Sequence, residues 1–521
     1  MVKTKIKPLP KIIGLVLIVL CLFFAFKQAQ SRGVMDKLLP KDKNTQNIPK
    51  DALNALKKES TLTKPITVGV VTWGGYAGGQ YFNKGFEASQ ESRYWQDYKI
   101  LVQFKVIDDF IASREAFKSG DIDVLWITAD SFPTEAGNLG SFDPKIIFQA
   151  DWSRGGDAIV VRRGINSANE LKGKKVAVAF GTPSHTFLLN VLSASGLAYT
   201  DIEVVEVPSA IDAAVNFKSG KVDAAVVWSP DDADCVANVT GAKVLKSTKE
   251  ASNIIADVFY VKNDYLQKHK DELKSLVEGW MIGAAEINSN QTAKDEAAQI
   301  LAKGLNQPVD FCKQAISNVR LATYGDNVNF FNLQGTYKNV KGEDLYSKMT
   351  DVYTKIGLIK DRVPTWREVV DTSILSSVTG LDGGANVAEK TKEFTKATVE
   401  VAKSEAFSTK RVTISFLSGV SNLDDNSKYI IDKEFVDIAK SFGNSRIRIE
   451  GNTDIVGNPN SNKTLSLKRA QAVVDYLVNE HSFNSNRFVV VGNGSDKPVA
   501  SNDTEDGKAK NRRTDFELLN Q

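Results

Sequence analysis

The run Ile66-Thr67-Val68-Gly69-Val70-Val71-Thr72, followed by Trp73-Gly74-Gly75-Tyr76, sets the reading of everything up to residue 370. Its β-branched residues suit a strand buried on both faces, and the glycines after it mark a loop. Strands and helices then alternate: a helix near 80–91, a strand at 100–107, a helix at 109–118 and a strand at 124–127. The rhythm returns as strand 175–180, helix 184–195, strand 204–207, helix 210–218 and strand 224–228. Such alternation predicts parallel-rich sheets covered by helices. An internal echo divides the region into two lobes: Phe117-Lys118-Ser119-Gly120-Asp121-Ile122-Asp123 recurs as Phe217-Lys218-Ser219-Gly220-Lys221-Val222-Asp223. Each copy reads as a helix end, a glycine cap and an apolar strand that finishes in Trp126 or Trp228.

Beyond Asp257 the pattern turns mainly helical, over 264–287, 294–303, 309–319 and 344–356. Residues 371–409 carry Gly380, Gly383 and Gly384 and a polar helical stretch at 388–404, and read as a connector. A small α+β unit occupies 410–521, with strands at 412–416, 446–451, 487–491 and 513–518 and helices at 425–442 and 461–481.

The chain has 521 residues, 25% of them charged, with a formal net charge of +3. That balance opposes nucleic-acid binding, which needs a basic stripe to displace counterions. Cys21, Cys235 and Cys312 supply neither a disulfide framework nor a metal spacing, and His185, His269 and His481 are too scattered for a metal site. No cofactor motif is readable. Lys3, Lys5, Lys7 and Lys11 form a basic tail (1–11) before an apolar run at 12–26. Positive charge holds that end in the cytoplasm, so the rest is exported. The run is expected to be an uncleaved transmembrane signal-anchor, the alternative being a removed signal peptide. Residues 27–64 read as a tether, which leaves 65–370 as the two-lobed unit.

In open α/β sheets, ligands sit beyond the carboxyl ends of the strands. That rule selects Trp73 and Tyr76, the loop holding Asp130, the turn Gly181-Thr182-Pro183-Ser184-His185, and the loop from Trp228 to Asp232. At Thr182–Ser184 a helix starts with free N–H groups, which either receive an anion or are merely capped. Trp73, Tyr76, Trp152 and Trp228 offer aromatic faces for rings or alkylammonium groups, or serve as core. Asp130, Asp231 and Asp232 either pair a cationic group or stay solvated. The region resembles the type II periplasmic solute-binding proteins, nearest the nitrate, sulfonate, taurine and thiamine-pyrimidine-precursor group. The resemblance is carried by Thr72–Tyr76, Gly155-Gly156-Asp157-Ala158-Ile159-Val160-Val161, Leu171-Lys172-Gly173-Lys174-Lys175-Val176-Ala177-Val178 and Gly181–His185. It implies a two-lobed receptor for a small anionic or zwitterionic molecule, with a membrane transporter or receptor as partner. Trp73, Tyr76, Asp130, Trp152, Thr182, Ser184, His185 and Trp228 are its expected ligand contacts.

Near the C-terminus, Gly451-Asn452-Thr453-Asp454 is followed by Asn462, by Leu465-Ser466-Leu467-Lys468-Arg469-Ala470, and by Gly507 and Asn511-Arg512-Arg513. This order is similar to the peptidoglycan-binding domain of the OmpA C-terminal family. The resemblance implies that Asp454 accepts from the ammonium of a diaminopimelate stem peptide while Arg469 holds a carboxylate by its planar fork. Thr453, Asn462 and Arg512 align with supporting positions. Asn452 stands where the family often has His, and Lys508 where it often has Arg. The plainer alternative is an Asp454–Arg469 salt bridge that supports the helix, with Arg512 and Arg513 capping the sheet edge.

Three functions compete. One is a non-enzymatic capture protein held on the wall. A second is an enzyme, opposed by the lack of a cysteine cluster and of any nucleophile–base–orienter set. The third is a spacer or stator-like protein whose lobed unit docks a partner rather than a small ligand.

Overall fold

In the computed structural model, Leu62, residues 64–414, Phe416 and residues 420–519 are described. The basic tail, the apolar run at 12–26 and nearly all of the tether lie outside those residues. No described helix is long and apolar enough to cross a membrane.

The chain builds one lobe, crosses to a second and returns. The first lobe begins with β1 (Ile66–Val70), β2 (Val102–Val106), β3 (Val124–Thr128) and β4 (Pro144–Ser153). The second holds β5 (Asp157–Val161), β6 (Lys175–Ala179), β7 (Glu203–Val207), β8 (Ala224–Trp228) and β9 (Lys243–Ser247). The return adds β10 (Ala256–Lys262) and β11 (Val319–Leu321) to the first sheet, whose order is β11-β4-β10-β3-β1-β2. The second sheet is ordered β7-β6-β8-β5-β9.

Each sheet has a parallel trio, β2-β1-β3 or β7-β6-β8, as the alternation predicts. The remaining strands run antiparallel, so the sheets are mixed rather than parallel-rich. The cause is local: β4, β5, β9 and β10 flank the two crossings between lobes and follow one another without intervening helices, so the helix–strand rhythm does not reveal them. The central β1 is buried along its whole length. At Gly69 a Cβ would lie 2.7 Å from Leu125, so only glycine lets the strand bear this packing.

The internal echo has a physical role. Gly120 and Gly220 both take left-handed backbone angles, φ 87° and 83°, which end their helices. Asp123 then accepts from the amide of Thr67 at 2.9 Å, and Asp223 from that of Lys175 at 2.9 Å. Each aspartate thus ties a parallel strand to its neighbour, once per lobe. Elsewhere the helices depart from expectation in detail. The stretch 264–287 is two helices, Asn263–Lys268 and Lys270–Ser289, broken at His269. The connector is helical only at Ser373–Ser377 and Val399–Lys403, apart from a short turn at Gly384–Asn386.

The C-terminal sheet consists of β12 (Ala406–Val412), β13 (Arg446–Asn452), β14 (Phe488–Gly494) and β15 (Thr514–Leu519), ordered β12-β15-β13-β14. Its first strand therefore starts ahead of the expected 412–416. A long helix, α1 (Pro459–His481), packs on β13 and β14. This sheet shares one apolar cluster with the second lobe: Leu188, Leu192, Ile254 and Ile255 join Phe407, Ile438 and Phe442. Polar contacts seal the same joint. Asn169 and Thr409 exchange two bonds of 3.0 Å, Ser195 meets Ser408 at 3.0 Å, and Asn253 donates to the carbonyl of Lys440 at 3.0 Å.

A joint of this kind predicts cooperative melting. Phe407→Ala, at a side chain 1% exposed, should cost about 3–5 kcal/mol. Calorimetry should show the second lobe and the C-terminal sheet losing stability in one shifted transition. Two separate transitions, with only one moved, would refute the shared core.

Candidate functional site

Two constellations stand out. The first lies between the lobes. Trp73, just after β1, donates its indole N–H to Asp151 at 2.9 Å. Its ring fits only because residue 156 is glycine, where a Cβ would approach it to 1.9 Å. Tyr76 is buried and donates to Asp257 at 2.5 Å. Trp73, Tyr76, Trp126, Trp228, Asp157 and Asp257, with Pro183, enclose a space of about 20 Å³, room for roughly one water.

Of the residues expected to contact a ligand, Trp73, Tyr76 and Trp228 meet here. Thr182 turns its hydroxyl back to the carbonyl of Ala179 at 2.8 Å, and buried Ser184 leaves its hydroxyl without a partner. Asp130 is fully buried with both oxygens unpartnered. Two expectations need correction. His185 does not face the cleft: its Nδ1 accepts from the Gly181 amide at 3.2 Å, Nε2 meets the Tyr199 hydroxyl at 3.1 Å, and the ring stacks on Phe180. Burial pulls its pKa down to about 4, as expected of a neutral packed imidazole. Trp152 also points away, because side chains alternate along β4 and its neighbour Asp151 takes the cleft side. It packs on Phe330 and borders a separate crevice of about 370 Å³ that Arg154 and Phe483 also line.

The sequence reading missed Trp126, Asp151, Asp157 and Asp257. The last three lie in the strands that the helix–strand rhythm conceals. An aspartate inside an apolar run, as in Ala256-Asp257-Val258, was the available clue, since a buried carboxyl is costly unless something answers it. Asp151 and Asp257 sit directly opposite across β4 and β10. Burial pushes Asp130, Asp151 and Asp157 up to about 7. Asp257 is raised by burial and then by the charge of Asp151.

These shifts carry a sign. A carboxyl raised in the folded state holds its proton there while the unfolded chain has lost it. Stability is therefore complete below the unfolded value of about 4 and declines as pH rises through the folded value. Asp157→Asn should consequently raise the melting temperature by several degrees at pH 8 and change it little at pH 4. An equal effect at both pH values would show that Asp157 carries no such penalty.

The second constellation is in the C-terminal sheet. β13 ends at Asn452, and the Thr453 amide donates to the carbonyl of Gly494 at 2.8 Å, holding the loop to β14. Asp454 accepts from the Val456 amide at 3.0 Å and from Arg512 at 2.6 Å. Asn462, on α1, braces the loop by donating to the Val456 carbonyl at 3.0 Å. Arg469, two turns further on, donates to the Val420 carbonyl at 3.1 Å with its guanidinium 4.7 Å from the Phe416 ring. Gly451 permits the close approach of α1, since a Cβ would stand 2.1 Å from the Ser466 carbonyl oxygen. Asn452 points inward to Asp515 at 3.1 Å.

The plainer reading of Asp454 needs amending, because its ion-pair partner is Arg512 rather than Arg469. Arg469 and Arg512 border a space of about 200 Å³ together with Phe416 and Asn452. Burial lowers the Arg469 pKa, Asp454 opposes that and Arg512 adds to it. Arg469, Arg512 and Arg513 all line this space, and Asp454 lies beside it on Arg512. Such a pocket suits a ligand bearing a carboxylate beside an ammonium.

Two lobes crossed twice by the chain, followed by a small α/β domain, are thus the class of fold. Comparison with known proteins agrees. Residues 415–512 match the model of the OmpA family and residues 88–302 that of the NMT1-like family. The chain therefore carries an NMT1-like segment ahead of an OmpA segment. Outer membrane porin F of Pseudomonas aeruginosa is 38% identical over 108 residues, 21% of this chain and 31% of that protein. The peptidoglycan-binding protein ArfA of Mycobacterium tuberculosis is 40% identical over 88 residues, 17% of this chain and 27% of its own. The taurine-binding periplasmic protein of Escherichia coli is 26% identical over 192 residues, 36% of this chain and 58% of that one. The chain thus spans from about a quarter to little more than half of these relatives' lengths. Among solved structures, the periplasmic aliphatic sulphonate binding protein SsuA of Escherichia coli aligns at 19% identity with a TM-score of 0.46, covering 64% of this chain and 97% of that one.

Proposed function

We propose that this chain is a non-enzymatic cell-envelope receptor, which captures a small organic molecule between its lobes while its C-terminal domain holds peptidoglycan. The observation that carries the wall-binding half is that Arg469 and Arg512 line one pocket within the OmpA-matching segment while Arg512 also holds Asp454 at 2.6 Å. Arg469 and Arg512 take the carboxylate of a diaminopimelate stem and Asp454 its ammonium, with Thr453 and Asn462 holding the loop. The similarity to ArfA supports this reading, and that to the taurine-binding protein supports the capture half.

In this arrangement 65–370 is the receptor, 371–409 the connector and 410–521 the wall domain. The run at 12–26 is the membrane anchor that keeps the body outside the cytoplasmic membrane, beside a transporter or receptor partner. Tethering at membrane and wall fits a stationary receptor better than a shuttling carrier, because it fixes a high local concentration near one partner. One observation favours a second reading, a spacer that docks a protein: the interlobe space is only about 20 Å³.

Sedimentation with purified peptidoglycan sacculi tests the wall-binding half. Asp454→Ala and Arg469→Ala should each weaken co-sedimentation about tenfold to a hundredfold, the size of a lost charge-assisted bond. Undiminished binding by both variants would reject this assignment.

A further inference from the structure

We propose that the interlobe cleft takes an organic cation, an ammonium or methylated ammonium group, seated among the indoles of Trp73, Trp126 and Trp228 and answered by Asp157 and Asp257. This inference rests on the solute-binding reading above and departs from the anionic or zwitterionic ligand that the sequence resemblance implies.

The argument begins with charge. Asp130, Asp151, Asp157 and Asp257 are each at most 4% exposed, and no basic side chain lines the space among the described residues. The nearby cations are engaged elsewhere. Arg114 grips Glu135 through two bonds of 2.7 and 3.0 Å, and Arg154 pairs with Glu389 at 2.7 Å. A sulfonate or nitrate entering here would find no basic side chain bordering the space among the described residues, since Arg114, 5.3 Å from the Trp126 ring, is held by Glu135.

The start of the helix Pro183–Ala194 is a poor anion seat. Pro183 supplies no N–H, the Thr182 hydroxyl is spent on Ala179, and the Thr186 hydroxyl in the first turn is bonded to that of Tyr353 at 2.8 Å.

Shape and unmet bonding point the same way. The rings form a connected wall, with Phe110 5.4 Å from Trp126 and 6.1 Å from Trp228, and Tyr76 6.3 Å from Trp126. Asp157, 2% exposed, borders the space with Oδ1 unpartnered, while its other oxygen accepts from Ser153 at 2.8 Å. Buried aromatic faces beside an unanswered carboxyl are the chemistry that recognises alkylammonium groups. A bare metal ion fits less well, since no cluster of three or more ligating side chains could hold one among the described residues. A methylated ammonium exceeds the present space, so its entry needs the cleft to widen.

The test is isothermal calorimetry and thermal melting of the full chain with choline and putrescine, against taurine, ethanesulfonate and nitrate. The expected result is a melting temperature raised several degrees by one of the two cations and not by the three anion-bearing compounds. Asp157→Asn and Trp228→Leu should each raise the Kd for that cation at least tenfold, and two variants guard against one that misfolds. If taurine or a sulfonate binds and the cations do not, the cation proposal falls while the solute-binding reading stands. If none of the five binds to well-folded protein, both fall and the spacer reading takes their place.

Discussion

The architecture depends on the apolar joint between the second lobe and the C-terminal sheet. Phe407 and Phe442 bury their rings in the same cluster as Leu188, Leu192 and Ile254. Separating the two units would return those faces to water, at roughly 25 cal/mol for each Å² exposed. What the sequence lays out as two modules and a connector is therefore, from the second lobe onward, one packed body. The first lobe joins the second through the two strand crossings that follow β4 and β9, through Thr134, which donates to the Gly181 carbonyl at 3.1 Å, and through Met349 and Tyr353, which pack on Leu189. A change in the angle between the lobes would move the first lobe relative to a second lobe packed on the C-terminal sheet.

Those crossings are also where the chain concentrates its costs. Ser153 joins Asp157 and Thr248, at 2.8 and 2.7 Å, and so ties one crossing to the other. Asp151 and Asp257 face each other across adjacent strands, two buried carboxyls that oppose each other's ionisation. Burial without full pairing destabilises each of these groups. Their retention is understandable if a ligand completes them.

Much of this was legible in the residues, and the remainder was hidden for identifiable reasons. The β-branched run at 66–72 and the repeated Phe-Lys-Ser-Gly motif disclosed two related lobes, because capped helix–strand turns leave a strong local pattern. Strands β4, β5, β9 and β10 left no such pattern, since antiparallel neighbours at a crossing need no helix between them. Their aspartates went unread with them. His185 sat in the right turn, yet its ring faces inward, and sequence does not disclose which way a side chain turns on a helix start. Trp152 was misplaced by the alternation of a strand that had not been recognised. In the C-terminal domain, Asp454 and Arg469 were picked out through the family resemblance that their order and spacing carry. The partnership of Asp454 with Arg512, distant in sequence, required the fold.

The most direct test of this account is the distance between a spin label on the second lobe and one on the wall-binding domain. Lys221→Cys and Asn479→Cys place both labels at exposed positions, with Cys21→Ala removing a competing thiol and Cys235 and Cys312 buried. Pulsed electron resonance on the full chain should give one narrow distance, as two parts of a single body require. A broad distribution would show that the C-terminal domain tumbles freely, and would contradict the core it shares with the second lobe.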